Sequence, residues 1–208
     1  MTKQLRSQGI VDGRLKYNAD GKIQLRGNGL ELLLSEVSSS YGINDKGKTS
    51  FDHYKAMFGL LAMLRTIAAH HQYAEFATFS KFKVHFIHTH NRAIRHWTMF
   101  TPEPGLYVMN KEQKVDIVAD FEQKETAIVP LINFTNTLAV SLVDTVDVLS
   151  TLAEEHGEVM KDTRFETQRR RPSLLQHIRP VIVRLNESKH TTDIADDGPK
   201  SPVYIPNH

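Results

Sequence analysis

A chain of 208 residues with 40% apolar and 24% charged residues has the size and composition of one globular domain, so no second domain is required. The absence of cysteine excludes disulfides and thiolate metal sites, so a metal would need His, Asp or Glu ligands. The interrupted apolar runs predict no membrane span, and the N-terminus lacks the apolar stretch of a signal peptide, which indicates a cytoplasmic protein.

The net charge of +2 hides a strong segregation of charge along the chain. Residues 1–28 carry six basic and two acidic side chains, and residues 164–190 carry seven basic and two acidic ones. Residues 144–162, by contrast, carry six acidic side chains and one basic side chain. This arrangement favours contacts in which a basic arm of one copy docks on the acidic segment of another.

The N-terminal region, residues 1–29, is predicted to be a basic arm that carries a small β-hairpin. Its two strands would be residues 14–17 and 22–26, where polar and apolar residues alternate on either side of the turn-forming residues 18–21. Residues 30–37 fit a short helix or a buried strand, and the lack of β-branched residues before Val37 favours the helix.

The most apolar helical pattern in the chain covers residues 50–71 and predicts a helix deep in the core. Apolar side chains recur there at the spacing that places them on one face, namely at Tyr54, Met57, Phe58, Leu61, Leu64, Ile67 and Ala68. Residues 74–97 stay open between helix and strand, since Phe82, Val84 and Phe86 alternate with polar residues in a region that also fits a helix.

Two more helices are predicted downstream, at residues 111–126 and at residues 131–152, the second ending near Gly157. The predicted fold is therefore mainly α, with a single core of about five helices over residues 30–160. Residues 161–208 would form an extended C-terminal arm that is first rich in arginine and then polar and rich in proline.

One motif matches a known phosphate-binding pattern, G-x-x-x-x-G-K-[ST], at Gly42, Gly47, Lys48 and Thr49. In such a loop the backbone N–H groups and the lysine hold phosphates, and the hydroxyl holds magnesium. The residues before this loop are polar and unlike a central parallel strand. The competing interpretation is a solvated turn in which Thr49 caps the following helix together with Asp52.

Histidines concentrate around residues 85–96, and His88 and His90 lie two positions apart. On a strand this spacing places both rings on one face, where they could ligate a metal with a third residue from elsewhere. The His-x-His pattern is also similar to the motif of rolling-circle nucleases, in which two histidines hold a divalent metal beside a nucleophilic tyrosine. That resemblance implies a His-dependent metal nuclease with Tyr107 as its nucleophile.

Basic and aromatic residues form a third candidate site, for nucleic acid. Several lysines and arginines can contact a phosphate backbone while a flat side chain stacks on unpaired bases; the candidates are Lys81, Lys83, Arg92, Arg95, Trp97, Arg169, Arg170, Arg171 and Arg179.

The favoured hypothesis is a self-assembling, nucleic-acid-binding structural subunit, such as a viral coat or nucleocapsid-like protein, which would then also occur in the virion. Its expected partners are copies of itself and single-stranded RNA, with no membrane, no cofactor and no catalytic residue. The alternatives are a nucleotide-binding protein that uses the residue 42–49 loop, the metal nuclease, and a protein-interaction module.

Overall fold

The computed structural model describes residues 18–165 and 172–182. Within them lie five strands and three α-helices, with short 3₁₀ turns at Phe121–Gln123 and Leu174–Gln176. In chain order the elements are β1 (Gly21–Gln24), β2 (Glu31–Val37), α1 (Lys46–His70), α2 (Phe76–Phe79), β3 (Val84–His90), β4 (Ala93–Glu103), β5 (Leu106–Asp116) and α3 (Lys124–Phe165).

The five strands form one mixed sheet in the spatial order β1-β2-β3-β4-β5. β2 and β3 run parallel, and the other three neighbouring pairs are antiparallel. Parallel neighbours need a long connection that crosses over the sheet, and here that connection contains α1 and α2. β1 and β5 are left as the two edges of the sheet.

Two adjacent residues of β3 show which helix covers which face of the sheet. The ring of Phe86 lies 6.1 Å from the ring of His53 in α1. The ring of His85 lies within hydrogen-bonding distance of Thr145 in α3, at 2.8 Å. Because successive strand residues point to opposite faces, α1 and α3 cover opposite sides of the sheet and the fold has three layers.

The main core lies between α1 and the sheet. Its largest fully buried apolar side chains come from α1, the strands and the segments beside them, and include Leu32, Leu60, Leu64, Ile67, Phe79, Phe82 and Phe86. The predicted central helix is thus confirmed, and it extends to Lys46.

The N-cap of α1 is Asp45, whose side chain accepts a hydrogen bond from the Lys48 N–H at 3.0 Å. The interpretation in which Thr49 caps the helix is therefore wrong.

The prediction of a mainly α core of about five helices is wrong, since a five-stranded sheet occupies the centre of the fold. Residues 30–37 were predicted to be a helix but contain β2, in which Leu32, Leu33 and Leu34 are all buried. A strand covered on both faces has a continuous apolar run, and over so few residues such a run cannot be distinguished from a helix by periodicity.

Residues 111–126 were likewise predicted to be a helix, but β5 continues to Asp116. In this edge strand the buried Val115 alternates with exposed charged neighbours, and pairing with β4 decides its conformation. The strand interpretation of residues 82–88 is confirmed by β3, which begins at Val84.

The second predicted strand of the N-terminal hairpin overlaps β1, which pairs with β2 on one side. Residues 14–17, the predicted first strand, lie outside the described residues, so the hairpin itself stays a prediction. The last helix is also longer than predicted, because α3 contains Pro130 and runs through Gly157.

Helix α3 exposes many apolar side chains along its first half, among them Ile128, Val129, Ile132, Val140 and Val143. Within the described residues, Phe121–Lys161 is the one segment long and apolar enough to cross a membrane by length and composition alone, and little of its most apolar part is buried. The expectation that no membrane is involved stays a prediction.

Candidate functional site

Charged side chains from three parts of the chain meet where β1 and β2 pack on α1; three of them are largely buried, and Asp20 is exposed. We call Asp20, Glu36, Asp52 and Lys55 the acid–lysine cluster. The side chains of Glu36 and Asp52 are 4% and 5% exposed, and that of Lys55 is 14% exposed. The ammonium of Lys55 lies 2.8 Å from Oε2 of Glu36 and 3.2 Å from Oδ1 of Asp52. One lysine therefore bridges two buried carboxylates.

The local structure explains how these residues meet. Glu36 shares a strand face with Leu32 and Leu34, which pack in the core under α1. Asp52 and Lys55 are three residues apart on α1, which places them on one helix face. Asp20 lies just before β1, and its Oδ2 accepts a hydrogen bond from the Val37 N–H at 2.8 Å. The strand pair thus holds the Asp20 and Glu36 carboxylates close together.

Burial dominates the electrostatics of the cluster. It raises the pKa of Glu36 to about 7, Lys55 opposes this rise, and the nearby charges of Asp52 and Asp20 add to it. Burial alone would lower the pKa of Lys55, but its hydrogen bond to Glu36 and the charges of Glu36 and Asp52 outweigh that effect and raise it. Glu36 consequently titrates near neutral pH beside a permanently charged lysine, as is common at functional sites.

The cluster opens onto a cavity of about 750 Å³ between α1 and the β1–β2 edge of the sheet. Asp20, Glu36 and Lys55 line it on the polar side. Gly59 lines it on the helix side, and a Cβ at this position would lie 2.7 Å from Cδ1 of Leu34. The missing side chain at Gly59 thus allows the close approach of α1 to β2 beside the cavity.

Sequence reasoning did not find this cluster. Two signals were present: Glu36 is a charged residue at the end of the apolar run of residues 30–37, and Asp52 and Lys55 have the spacing of a helical ion pair. With residues 30–37 predicted as a helix, the contact between Glu36 and Lys55 could not be foreseen, because it forms when Glu36 lies on a strand beside α1.

His88 and His90 lie on one face of β3, as the strand interpretation predicts, and their ring centroids are 4.7 Å apart. His88 is buried, and its Nε2 is 2.7 Å from the Ser38 hydroxyl. Tyr107 lies near the opposite end of the sheet, roughly 20 Å away by strand rise, so the structure does not bring it to these histidines. Among the described residues, no group of three or more His, Asp or Glu side chains has the arrangement of a metal site.

Buried histidines lie on both faces of the sheet. Burial, with a contribution from His90, lowers the pKa of His53 to about 4 and that of His88 to about 2. On the other face, Nδ1 of His85 lies 3.0 Å from Nε2 of His96, and burial lowers the pKa of both. These four rings are neutral at pH 7 and serve as packed core groups, of which His85, His88 and His96 have hydrogen-bond partners.

The predicted nucleic-acid residues do not share one surface. Lys81 and Arg92 are exposed, whereas Arg95 and Trp97 are 3% and 5% exposed. The ring of Trp97 packs edge-on against His53 under α1, at 4.9 Å. Of the remaining candidates, Lys83 pairs with Glu112 at 3.2 Å, Arg179 is exposed, and Arg169, Arg170 and Arg171 lie outside the described residues.

The phosphate-loop candidates lie between β2 and the first turn of α1. Gly42 has a φ of 75° and precedes the helix, while Gly47, Lys48 and Thr49 lie within its first turn. The carboxylate of Asp45 accepts from the Lys48 N–H, so one of the amides that a phosphate would need is already hydrogen-bonded.

The chain was compared with protein-family models, with curated proteins and with solved structures, and none of them matches. The function must therefore be argued from the site itself.

Proposed function

We propose that the protein hydrolyses phosphodiester bonds in nucleic acid with a divalent cation bound at the acid–lysine cluster. The observation that carries this proposal is the buried contact between Glu36 and Lys55, at 2.8 Å, beside Asp20 and at the wall of an accessible cavity. Acidic side chains and a lysine in such a cleft are the groups that metal-assisted phosphoryl transfer requires.

Two carboxylates of the acid–lysine cluster line the cavity, fewer than the three side-chain ligands of a metal site built by protein alone, so a magnesium ion would depend on water and substrate phosphate for the rest of its shell. This ion prefers oxygen ligands and is commonly bound by one or two carboxylates, with water and substrate phosphate completing its shell. Asp20 and Glu36 supply two carboxylates at one end of the β1–β2 pair. The raised pKa of Glu36, about 7, means that a cation would compete with a proton for this carboxylate, so binding should strengthen as the pH rises through 7.

The remaining side chains have separate roles in the proposed reaction. A water oxygen attacks the phosphorus, the bond from phosphorus to the leaving sugar oxygen breaks, and that oxygen takes up a proton from solvent. The proton lost by the attacking water passes to one of the two cluster carboxylates that line the cavity near Lys55, Asp20 or Glu36. Lys55 would stabilise the negative charge that develops on the phosphoryl oxygens.

Charge on the chain supports a polyanionic substrate. Four of the six basic side chains of residues 1–28 precede Asp20 in the chain, and Lys22, which follows it, lines the cavity. Lysines and arginines near a cleft raise the local concentration of nucleic acid and make its binding salt-dependent.

The test is cleavage of single-stranded and duplex DNA and RNA with Mg²⁺ or Mn²⁺, and with EDTA. We expect cation-dependent cleavage that falls about 100-fold or more in Glu36→Gln and in Lys55→Met. Glu154→Gln, which changes an exposed glutamate on α3, is the matched control and should cleave like the parent. Absence of cleavage by the parent, or equal cleavage by Glu36→Gln, would overturn the proposal.

The self-assembling subunit predicted from charge segregation remains a second proposal. The observation that favours assembly is the exposed apolar side of α3, because patches of this kind commonly mark protein contacts. Light scattering of the parent and of Val140→Asp tests it, since an assembling parent and a monomeric variant are expected. A monomeric parent at ~100 μM would exclude stable assembly.

A further inference from the structure

We infer that a basic pocket between the start of α1 and the β3–β4 turn binds a phosphate group. The pocket has a volume of about 190 Å³, several times the ~30 Å³ share of one water in the liquid. Lys46, Thr49, Arg92, Arg95, Lys114 and Asp116 are among the residues that line it. The inference does not depend on the hydrolytic activity proposed above.

The charge of the pocket favours an anion. Four of its lining side chains are basic and one, Asp116, is acidic. The Asp116 side chain is 74% exposed and lies 3.9 Å from the Lys114 ammonium, so its attraction for that lysine is strongly screened by water. Positive charge therefore predominates in a concave site, where it is more effective than on a flat surface.

Arg95 supplies a buried guanidinium. The residue is 3% exposed, and Nη1 donates to the carbonyl oxygens of Ala93 and His90 at 3.3 and 3.4 Å. These contacts fix the position of a planar group whose several N–H donors match the geometry of a phosphate. A buried arginine is thus part of the pocket wall.

The start of α1 adds the positive end of the helix dipole and a hydroxyl. This helix of 25 residues presents the positive end of its dipole at Lys46. Thr49 is 4% exposed, lines the pocket, and its Oγ1 has no hydrogen-bond partner among the described residues. A buried hydroxyl without a hydrogen-bond partner is unfavourable, and an oxyanion in the pocket would supply that partner.

The helix-capping carboxylate does not fill the pocket. Asp45 lines a neighbouring depression together with Ser38, Ser39 and Lys48. The anion site inferred here therefore uses Thr49 with the basic side chains of β4 and β5, and not the Gly47–Lys48 pair of the phosphate-loop motif.

The opposite wall of the pocket is held in place by the loop before α1. Asn91, in the β3–β4 turn, has a φ of 57°, a left-handed conformation that non-glycine residues seldom adopt. Its N–H donates to the Ser39 hydroxyl at 3.2 Å, and its carbonyl accepts from the Gly42 N–H at 2.9 Å. The Arg92 guanidinium lies over the Tyr41 ring, 5.8 Å from its centroid. The turn that carries Arg92 is thus ordered before any ligand binds.

The pocket lies apart from the acid–lysine cluster. Lys46 and Lys55 are nine residues apart on one straight helix, which corresponds to about 14 Å along its axis. The phosphate group could belong to a free phosphate compound or to the backbone of a nucleic acid strand. Each source is therefore tested with its own ligand.

The test is isothermal titration of the full chain with inorganic phosphate at ~20 mM salt, then with a single-stranded oligonucleotide. We expect saturable phosphate binding that weakens about tenfold or more in Arg92→Ala and in Thr49→Val, because each change removes a ligand of the anion. Lys161→Ala, which removes an exposed lysine on α3, is the control and should bind like the parent.

Arg92 lies in an exposed turn, so Arg92→Ala should fold like the parent even if Thr49→Val, at a buried position, does not. Competition between oligonucleotide and phosphate would identify a backbone phosphate as the ligand, and phosphate binding that ignores the oligonucleotide would identify a free phosphate compound. A parent that binds no phosphate, or an Arg92→Ala variant that binds it as well as the parent, would overturn the inference.

Discussion

Two buried polar regions lie side by side under α1 and respond to burial in opposite ways. In the acid–lysine cluster, Lys55 contacts Glu36 and Asp52, and its pKa is raised, so a charge persists in the interior. In the neighbouring region the rings of His53 and His88 lie beside each other. Burial and neighbouring positive groups lower the pKa of both, no carboxylate opposes this, and both rings are neutral. Opposite charges allow a buried site to stay ionised, while like groups become neutral core side chains.

This difference separates a candidate site of chemistry from packing. The charged region lines an open cavity, so its groups can meet a substrate. His88 instead donates or accepts a hydrogen bond with Ser38 and is enclosed by Phe86, His53 and His90. The two regions should therefore differ in their response to pH and to substitution.

The largest expected effect is loss of stability in acid. His53, His85, His88 and His96 have lowered pKa values in the fold, so below pH 6.5 the unfolded chain binds protons that the folded chain does not. Their stabilising effect is present above 6.5 and is lost as the pH falls, by about 1.5 kcal/mol per histidine between pH 6.5 and 5. Glu36, with its raised pKa, acts in the opposite direction but is one group against four.

Urea denaturation at pH 7.5 and at pH 5 measures this effect. His53→Asn should reduce the pH dependence by about one proton, because it removes one histidine whose pKa is lowered by burial. Equal unfolding free energies of the parent at the two pH values would contradict the expected loss of stability in acid.

The next largest effect is expected from Lys55→Met. It leaves the buried Glu36 and Asp52 without their cation, which should cost about 3–5 kcal/mol at pH 7.5. Because Glu36 then protonates more readily, this variant should recover stability, relative to the parent, as the pH falls toward 5. Lys22→Met breaks an exposed ion pair with Glu31 and should cost less than about 1 kcal/mol. Urea denaturation measures the unfolding free energy of both variants. Similar losses of unfolding free energy in the two would show that burial of the Lys55 ion pairs contributes little to stability.

The smallest effect is expected from Ser38→Ala. This change removes the hydroxyl that lies 2.7 Å from His88 Nε2 and leaves a buried ring nitrogen without that partner, at a cost of about 1–2 kcal/mol. Ser150→Ala, at an exposed position on α3, should change stability by less than about 0.5 kcal/mol. Thermal unfolding at pH 7.5 compares the two, and a Ser38→Ala variant as stable as the parent would mean that the contact contributes nothing.

Long periodic segments were predictable from the sequence, and short ones were not. The apolar stripe of α1 was identified because its pattern repeats over 25 residues and no strand reproduces it. β2 and β5 were misassigned because seven apolar-rich residues, or alternating charges, fit helix and strand equally well until neighbours are known. The phosphate-loop motif falls at the start of α1. Of the histidine pair, His88 lies in the core, whereas His90 is half-buried and lines the pocket at the start of α1.

The sequence by itself determined the central helix and the segregation of charge, and it gave a strand at β3 as one of two options. Each of these depends on residues that are near one another in the chain. Only the tertiary structure decided that residues 30–37 form a strand, because strand pairing is a contact between distant segments. The same holds for the acid–lysine cluster, whose members come from positions 20, 36, 52 and 55. Their carboxylates and ammonium interact because β1, β2 and α1 pack together, and no local pattern encodes that packing.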